Sequence, residues 1–282
     1  MKDSTGLSYI VLPTDLSPGG EVAFGHALAL ALGSKGHLAL VHAEPLQPDE
    51  KPDWSAYPGV RATLDRWGLL DADSTPTTVG QRLGVKVSKT DVSTTDVVHG
   101  VAGYVAQHSG DFLVLATDGR EGLSRLIEPS ISERIAHATN LPALFIPKDA
   151  KGFVDWETGA VRLQRIVLPV EPELPPGTTA DLALRMADLL GCTDAELHLL
   201  DFQGGDEEGL IGLSDELQSR VRRKAVEGDL VAGVQAAVQE LEADLVALPT
   251  RDETGLLDRL RGSSTARLLA EVGLPVLAVP LD

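Results

Sequence analysis

The chain repeats itself. A shift of 133 positions lays Thr95–Pro147 on Gly228–Pro280 without a gap, with about 16 of 53 positions identical. A gapless match of this kind means that one supersecondary arrangement is built twice. The identities include Asp96 with Asp229, Asp111 with Asp244, Thr117 with Thr250, Gly122 with Gly255, Ser130 with Ser263, and Leu141-Pro142 with Leu274-Pro275. The front ends match at another offset, Ile10-Val11-Leu12-Pro13 with Ile166-Val167-Leu168-Pro169. The sequence therefore divides into repeat one over 1–148, a linker over 149–163 and repeat two over 164–282. Phe153 and Trp156 are the aromatic anchors of an otherwise polar linker.

Within repeat one, short β-branched runs alternate with segments of helical period. Tyr9–Pro13, His37–Ala43, Val85–Ser88, Phe112–Ala116 and Ala143–Pro147 read as strands. Gly20–Leu32, Pro58–Leu83, Asp96–His108 and Ser130–Thr139 read as helices. Such alternation predicts parallel strands joined by helical crossovers. Repeat two keeps the order, but only Phe202–Gln218 separates its second strand, Glu196–Asp201, from its third, Ser219–Val226, so the helix there must be short or missing. Gly204–Gly209 reads as a mobile loop. The closing strands, Ala143–Pro147 and Val276–Pro280, are apolar edges that need covering, and pairing them would make a pseudo-dimer inside one chain.

Charge bounds the partners. Lys plus Arg number 24 against 42 Asp plus Glu, a formal net charge of −18, which repels nucleic-acid backbone and anionic membrane. The single cysteine, Cys192, can form neither an internal disulfide nor a Cys-based zinc site, and no apolar run is long enough to span a bilayer. A cytoplasmic protein, with no nucleic-acid and no membrane partner, is expected.

In open parallel sheets ligands bind beyond the carboxyl ends of the strands. There, repeat one offers Pro13-Thr14-Asp15 after its first strand. Thr117-Asp118-Gly119-Arg120-Glu121-Gly122 follows its fourth, with Ser130 at the start of the next helix. Asp15 could hydrogen-bond an adenine or ribose, or it could cap the following helix. Ser130 with Glu133 fits a capping box. Repeat two offers Pro169 and Glu171, then Thr250 with Gly255, and then Gly262-Ser263-Ser264, which lacks the glutamate and leaves donors for phosphate. The histidines are scattered, and His42 and His198 read as packing residues. Trp54, Trp67 and Trp156 read as cover for helix two and the linker.

The strand ending Pro13-Thr14-Asp15, the Gly-x-x-Gly turn, the Gly-Ser before a helix and the closing Leu-Pro-x-Leu-x-x-Pro strand, in that order and duplicated, resemble the universal stress protein family in its tandem form. The resemblance implies an α/β fold: two tandem five-stranded, mostly parallel sheets with flanking helices of adenine-nucleotide α-hydrolase type, packed as an intrachain pseudo-dimer. It also implies ATP binding in one branch of the family, through Gly-x-x-Gly, nine residues, then Gly-Ser or Gly-Thr. The present spacer is six residues in both repeats. Pro129 replaces the second-motif glycine of repeat one, Asp252 replaces the first glycine of repeat two, and Glu171, followed by Pro172, stands at the Asp15 position. Pro129 has no N–H to give a phosphate, so repeat two is favoured for phosphate contact.

Two functions follow as expectations. One is a stress-response protein that binds ATP or another adenine nucleotide, with or without Mg, as a regulatory ligand with little or no hydrolysis. Its occupancy would be read by a protein partner. The other is a nucleotide-free scaffold, alone or as a homodimer, that binds a protein or an apolar ligand. No catalytic constellation is legible: there is no Walker loop, no Gly-x-Ser-x-Gly and no His-Glu-x-x-His.

Overall fold

The computed structural model describes residues 7–17, 19–44, 52–55, 57–71, 73–117, 130–170, 174–202, 215–251, 268 and 271–281. The first half contains β1 Tyr9–Thr14, α1 Glu21–Ser34, β2 His37–Glu44, α2 Val60–Arg66, α3 Pro76–Leu83, β3 Lys86–Ser93, α4 Val97–His108, β4 Phe112–Thr117, α5 Ile131–Thr139 and β5 Ala143–Pro147. The second half contains β6 Arg165–Val170, α6 Gly177–Leu189, β7 Glu196–Asp201, α7 Asp215–Gln218, β8 Val221–Ala225, α8 Leu230–Leu241, β9 Leu245–Arg251 and β10 Val276–Leu281.

The two five-stranded sheets join edge to edge in one ten-stranded sheet, ordered β3-β2-β1-β4-β5-β10-β9-β6-β7-β8. All neighbours are parallel except β5 and β10, which pair antiparallel with Leu277 opposite Leu144. The apolar edges expected to cover one another do so. Because side chains alternate along a strand, each strand feeds two cores. Ile10, Leu12, Leu38, Leu40 and Val114 pack under α1, α2, α3 and α6. Val11, Val41, Leu113, Leu115 and Phe145 pack under α4, α5 and α8. Burial on both faces explains why the strands read as continuous apolar runs.

Several residues shared by the repeats hold equivalent joints. Asp96 caps α4, accepting from His99 N at 3.0 Å, and Asp229 caps α8, accepting from Val231 N at 3.1 Å. The Asp111 carboxylate accepts from Ser8 N and Tyr9 N at 3.1 and 2.9 Å. The Asp244 carboxylate accepts from Gln164 N and Arg165 N at 2.7 and 3.0 Å. Each thereby ties the start of one central strand to the start of its neighbour. The carbonyls of Pro142 and Pro275 accept from Leu113 N and Val246 N at 2.9 and 3.1 Å.

The helix expected over 58–83 is in fact two. Gly68, at φ 68°, turns the chain away after α2. Thr75 then caps α3, accepting from Thr78 N at 3.1 Å, with Pro76 as the first helical residue. Strand β3 runs to Ser93, five residues beyond the expected end at Ser88, because it pairs with β2 residue for residue to the end of that strand. In the second half, α7 is a four-residue helix, as the short connection requires. Gly204–Gly209 lies outside the described residues.

The linker is anchored as its aromatics suggest. Phe153 is buried against His26 of α1, and the Trp156 ring meets Phe24 edge-on at 5.9 Å. Trp67 at the end of α2 donates its indole N–H to the Trp156 carbonyl at 3.0 Å. Trp54 departs from the expectation. Its indole N–H reaches Asp91 on β3 at 2.8 Å and its ring meets His42 edge-on, so it covers the ends of β2 and β3 and not α2.

Candidate functional site

The sheet opens where its central strands separate. β1 pairs with β4 only at Ile10↔Phe112 and Val11↔Leu113, and β6 pairs with β9 only at Ile166↔Leu245 and Val167↔Val246. Beyond those pairs the strands diverge. The connections leave to opposite faces at this point, α1 to one and α4 and α5 to the other, which is the place where such sheets accept ligands.

In the first half the opening is a cleft of about 320 Å³. It brings together Pro13, Thr14, Asp15, Thr117 and Ser130, all five of the described candidates from repeat one. Gly119 and Gly122 lie outside the described residues. In the second half Pro169 and Thr250 occupy the ends of β6 and β9, while Glu171, Gly255, Gly262, Ser263 and Ser264 lie outside the described residues.

Asp15 does not cap α1, which starts at Glu21 behind Gly20 with no side-chain cap. Leu16, held at φ 59°, turns the chain there, and its N–H donates to Thr14 Oγ1 at 3.0 Å. Asp15 Oδ1 accepts from Ser17 N at 3.0 Å and from Ser17 Oγ at 2.6 Å. Lys148 Nζ stands 4.0 Å from Oδ2, and the Asp15 side chain is 71% exposed. Partial burial disfavours the carboxylate, but the Ser17 hydroxyl and amide and the Lys148 ammonium outweigh it and hold its pKa below the ordinary value. A charged acceptor therefore lines the cleft, with Oδ1 held by Ser17 and Oδ2 beside Lys148.

Ser130 behaves as a cap. Its Oγ accepts from Glu133 N at 3.2 Å, and its own N–H donates to Glu133 Oε2 at 2.7 Å, the reciprocal capping box. Ser132 Oγ donates to the Ala116 carbonyl at 2.8 Å. The donors that a helix N-terminus would offer a phosphate are thus partly spent at α5, and a glutamate sits among them.

Tyr57 and Lys148 complete the cleft, and sequence reasoning passed over both. Tyr57 precedes α2 and is buried, its ring edge-on to Phe24 at 5.8 Å and to Trp54 at 6.1 Å. Its hydroxyl is hydrogen-bonded to the Thr14 side chain, and burial pushes its pKa well above the ordinary phenol value. Nothing in the local pattern around Tyr57 signals this, because its partners are brought in by α1 and β1. Lys148 carried a readable signal, a cation immediately after the last strand.

His42 is buried beside the cleft, its Nδ1 2.9 Å from the Thr14 carbonyl and its Nε2 3.3 Å from Glu44 Oε2, where it ties β2 to the end of β1. His198 Nε2 is buried on β7 without a hydrogen bond; its pKa is lowered by burial first and then by nearby Arg and Lys charges, against the pull of Glu196. Among the described residues no group of His, Cys, Asp and Glu is arranged to hold a metal ion, and no helix is long and apolar enough to cross a membrane.

Comparison with known proteins follows the architecture. Residues 8–147 and 166–280 each match the model of the universal stress protein family. No curated protein matches the chain significantly. Among solved structures, a universal stress protein from Archaeoglobus fulgidus DSM 4304 superposes with TM-score 0.61 at 16% identity, covering 98% of this chain and 97% of that one. A functionally unknown protein from Pseudomonas aeruginosa PAO1 gives TM-score 0.64 at 16% identity, covering 99% and 95%.

Proposed function

Since the chain belongs to the universal stress protein family and so to the proteins of the stress response, we propose that it binds an adenine nucleotide as a regulatory ligand, with little or no hydrolysis. The observation that carries this reading is the cleft where β1 and β4 part, with the largely solvent-exposed Asp15 carboxylate in its lining. A carboxylate there suits ribose hydroxyls or the exocyclic amine of adenine. Among the described residues no His–carboxylate or comparable general-base pair lines the cleft, which argues against rapid turnover.

The two halves would contribute unequally. In repeat one, Pro13, Thr14, Asp15 and Thr117 suit the base and ribose, whereas the Ser130 capping box leaves little for a phosphate. Repeat two retains Gly255 and Gly262-Ser263-Ser264, with Thr250, Pro169 and Glu171 at the matching positions, and has no glutamate to close a box. Phosphate contact is therefore assigned to repeat two.

Native mass spectrometry of the purified protein, alone and with Mg-ATP, tests this on wild type, Gly262→Pro and Asp15→Ala. A nucleotide mass increment lost in Gly262→Pro places binding in repeat two, and one lost in Asp15→Ala places it in repeat one. No increment under any condition leaves the scaffold reading, which the filling of the cleft wall by Tyr57 and the saturated cap at Ser130 favour.

A further inference from the structure

A larger opening lies on the far side of the first half. Strand β3 is an end strand of the sheet, and the break between α2 and α3 leaves it without a continuous helical cover. The result is a trough of about 810 Å³ between the two helices and the strand, within the size range of small-molecule sites. Its floor and walls are aliphatic, built from Val60 of α2, Val79 of α3, and Val85 and Val87 at β3. Val79 and Val85 belong to the core beneath, so the trough is a gap in the cover over that core.

The charge around it is opposite to that of the chain. Among the described residues, Arg61, Lys86 and Lys89 line the trough and no acidic residue does, in a protein where Asp plus Glu outnumber Lys plus Arg by 42 to 24. Among the described residues neither Arg61 nor Lys89 meets a carboxylate. Arg61 reaches only the Ser74 carbonyl, at 3.3 Å. Lys89 Nζ lies over the Trp54 ring at 4.8 Å, while Lys86, opposite His37 in the β2–β3 register, takes the other face of the strand, where its charge acts on His37. Partial burial lowers the Lys89 pKa.

We propose that this trough binds the single aliphatic chain of an amphipathic carboxylate, a fatty-acid-like anion, with its tail on the valine floor and its head between Arg61 and Lys89. An added peptide strand is the weaker occupant, because lysines on an end strand oppose edge-to-edge pairing. Among the described residues the second half has no counterpart, since only the four-residue α7 stands between β7 and β8. The site is separate from the cleft at β1 and β4 and does not depend on nucleotide binding.

Calorimetric titration with dodecanoate below its micellar concentration tests it, with dodecyltrimethylammonium as the chain-matched cation. Wild type should bind about one dodecanoate saturably and the ammonium at least tenfold more weakly. The double variant Arg61→Glu/Lys89→Glu, altered only at exposed side chains, and Ala62→Trp, which fills the trough, should each lose at least tenfold in affinity at unchanged thermal midpoint. Lys151→Glu/Arg223→Glu changes net charge equally elsewhere and should bind as wild type does. Absence of saturable binding, equal affinity for the ammonium, an undiminished double variant, or an equal loss in the remote variant would each overturn the proposal. So would binding of an acidic peptide at the same two cations without binding of dodecanoate.

Discussion

His26 shows what one buried side chain can decide. It is fully buried on α1, its Nδ1 2.7 Å from the Val22 carbonyl, and its Nε2 faces two amides, Phe153 N at 3.0 Å and Val154 N at 3.2 Å. A carbonyl on one side and two N–H groups on the other fix a neutral ring, protonated at Nδ1 and accepting at Nε2. Burial lowers its pKa from the usual 6.5 to about 4, against the pull of the Val22 carbonyl. The unfolded chain binds the proton first, so the contribution is complete above pH 6.5 and is lost as pH falls toward 4, at about 1.4 kcal/mol per pH unit. His37 is also held at about 4, by burial and then by the Lys86 and His108 charges, so the test is a difference between two proteins. Denaturant unfolding between pH 4 and 7 should show His26→Leu less stable than wild type by about 1–3 kcal/mol at pH 7, the cost of two stranded amides. The gap should narrow as pH falls, and a constant gap would mean that His26 does not titrate in this window. None of this was legible in the sequence, because the two amides that His26 accepts from lie more than a hundred residues away and are backbone groups. Asp96 and Asp229 were legible, since a cap acts within three residues of itself.

At the scale of elements, the boundaries that sequence reasoning placed well are those set locally. Strand β5 begins and ends where its apolar run does, and the start of α5 follows from Ser130 and Glu133 three residues apart. The misplaced ones depend on a neighbour: β3 is as long as β2 makes it, and the α2–α3 break combines a glycine turn with a Thr-Pro start inside a helical pattern. The approach of α1 to α6 is another long-range fact. A Cβ added at Gly33 would lie 2.2 Å from the Leu189 carbonyl oxygen of α6, whereas one added at Gly103 of α4 meets nothing within 4 Å. Alanine in place of a helical glycine gains up to about 1 kcal/mol, while overpacking against a backbone that must move costs about 1–3 kcal/mol. Gly103→Ala should therefore raise stability by up to about 1 kcal/mol in equilibrium unfolding, and Gly33→Ala should lower it. Equal effects of the two substitutions would refute the close packing of α1 on α6.

The whole molecule raises the question whether two repeats make one folding unit or two. The duplicated sequence shows two copies of one architecture, and the apolar closing strands show where they meet, because an uncovered apolar edge in each copy leaves the other as its nearest cover. It does not show how far the joint extends, which depends on faces brought together only by folding. The β5–β10 pairing continues the sheet without interruption, and one apolar core runs beneath α1 and α6 alike and includes Phe153 and Leu163 of the linker. Separating the halves would expose that core, a cost proportional to the apolar area released. The three tryptophans, Trp54, Trp67 and Trp156, all lie in repeat one or the linker. Their fluorescence reports on the first half, while far-ultraviolet circular dichroism reports on both. A single cooperative unit predicts that the two signals coincide through guanidinium unfolding. If circular dichroism keeps changing after the tryptophan signal is complete, the second half stands alone and the shared core contributes little to holding the halves together.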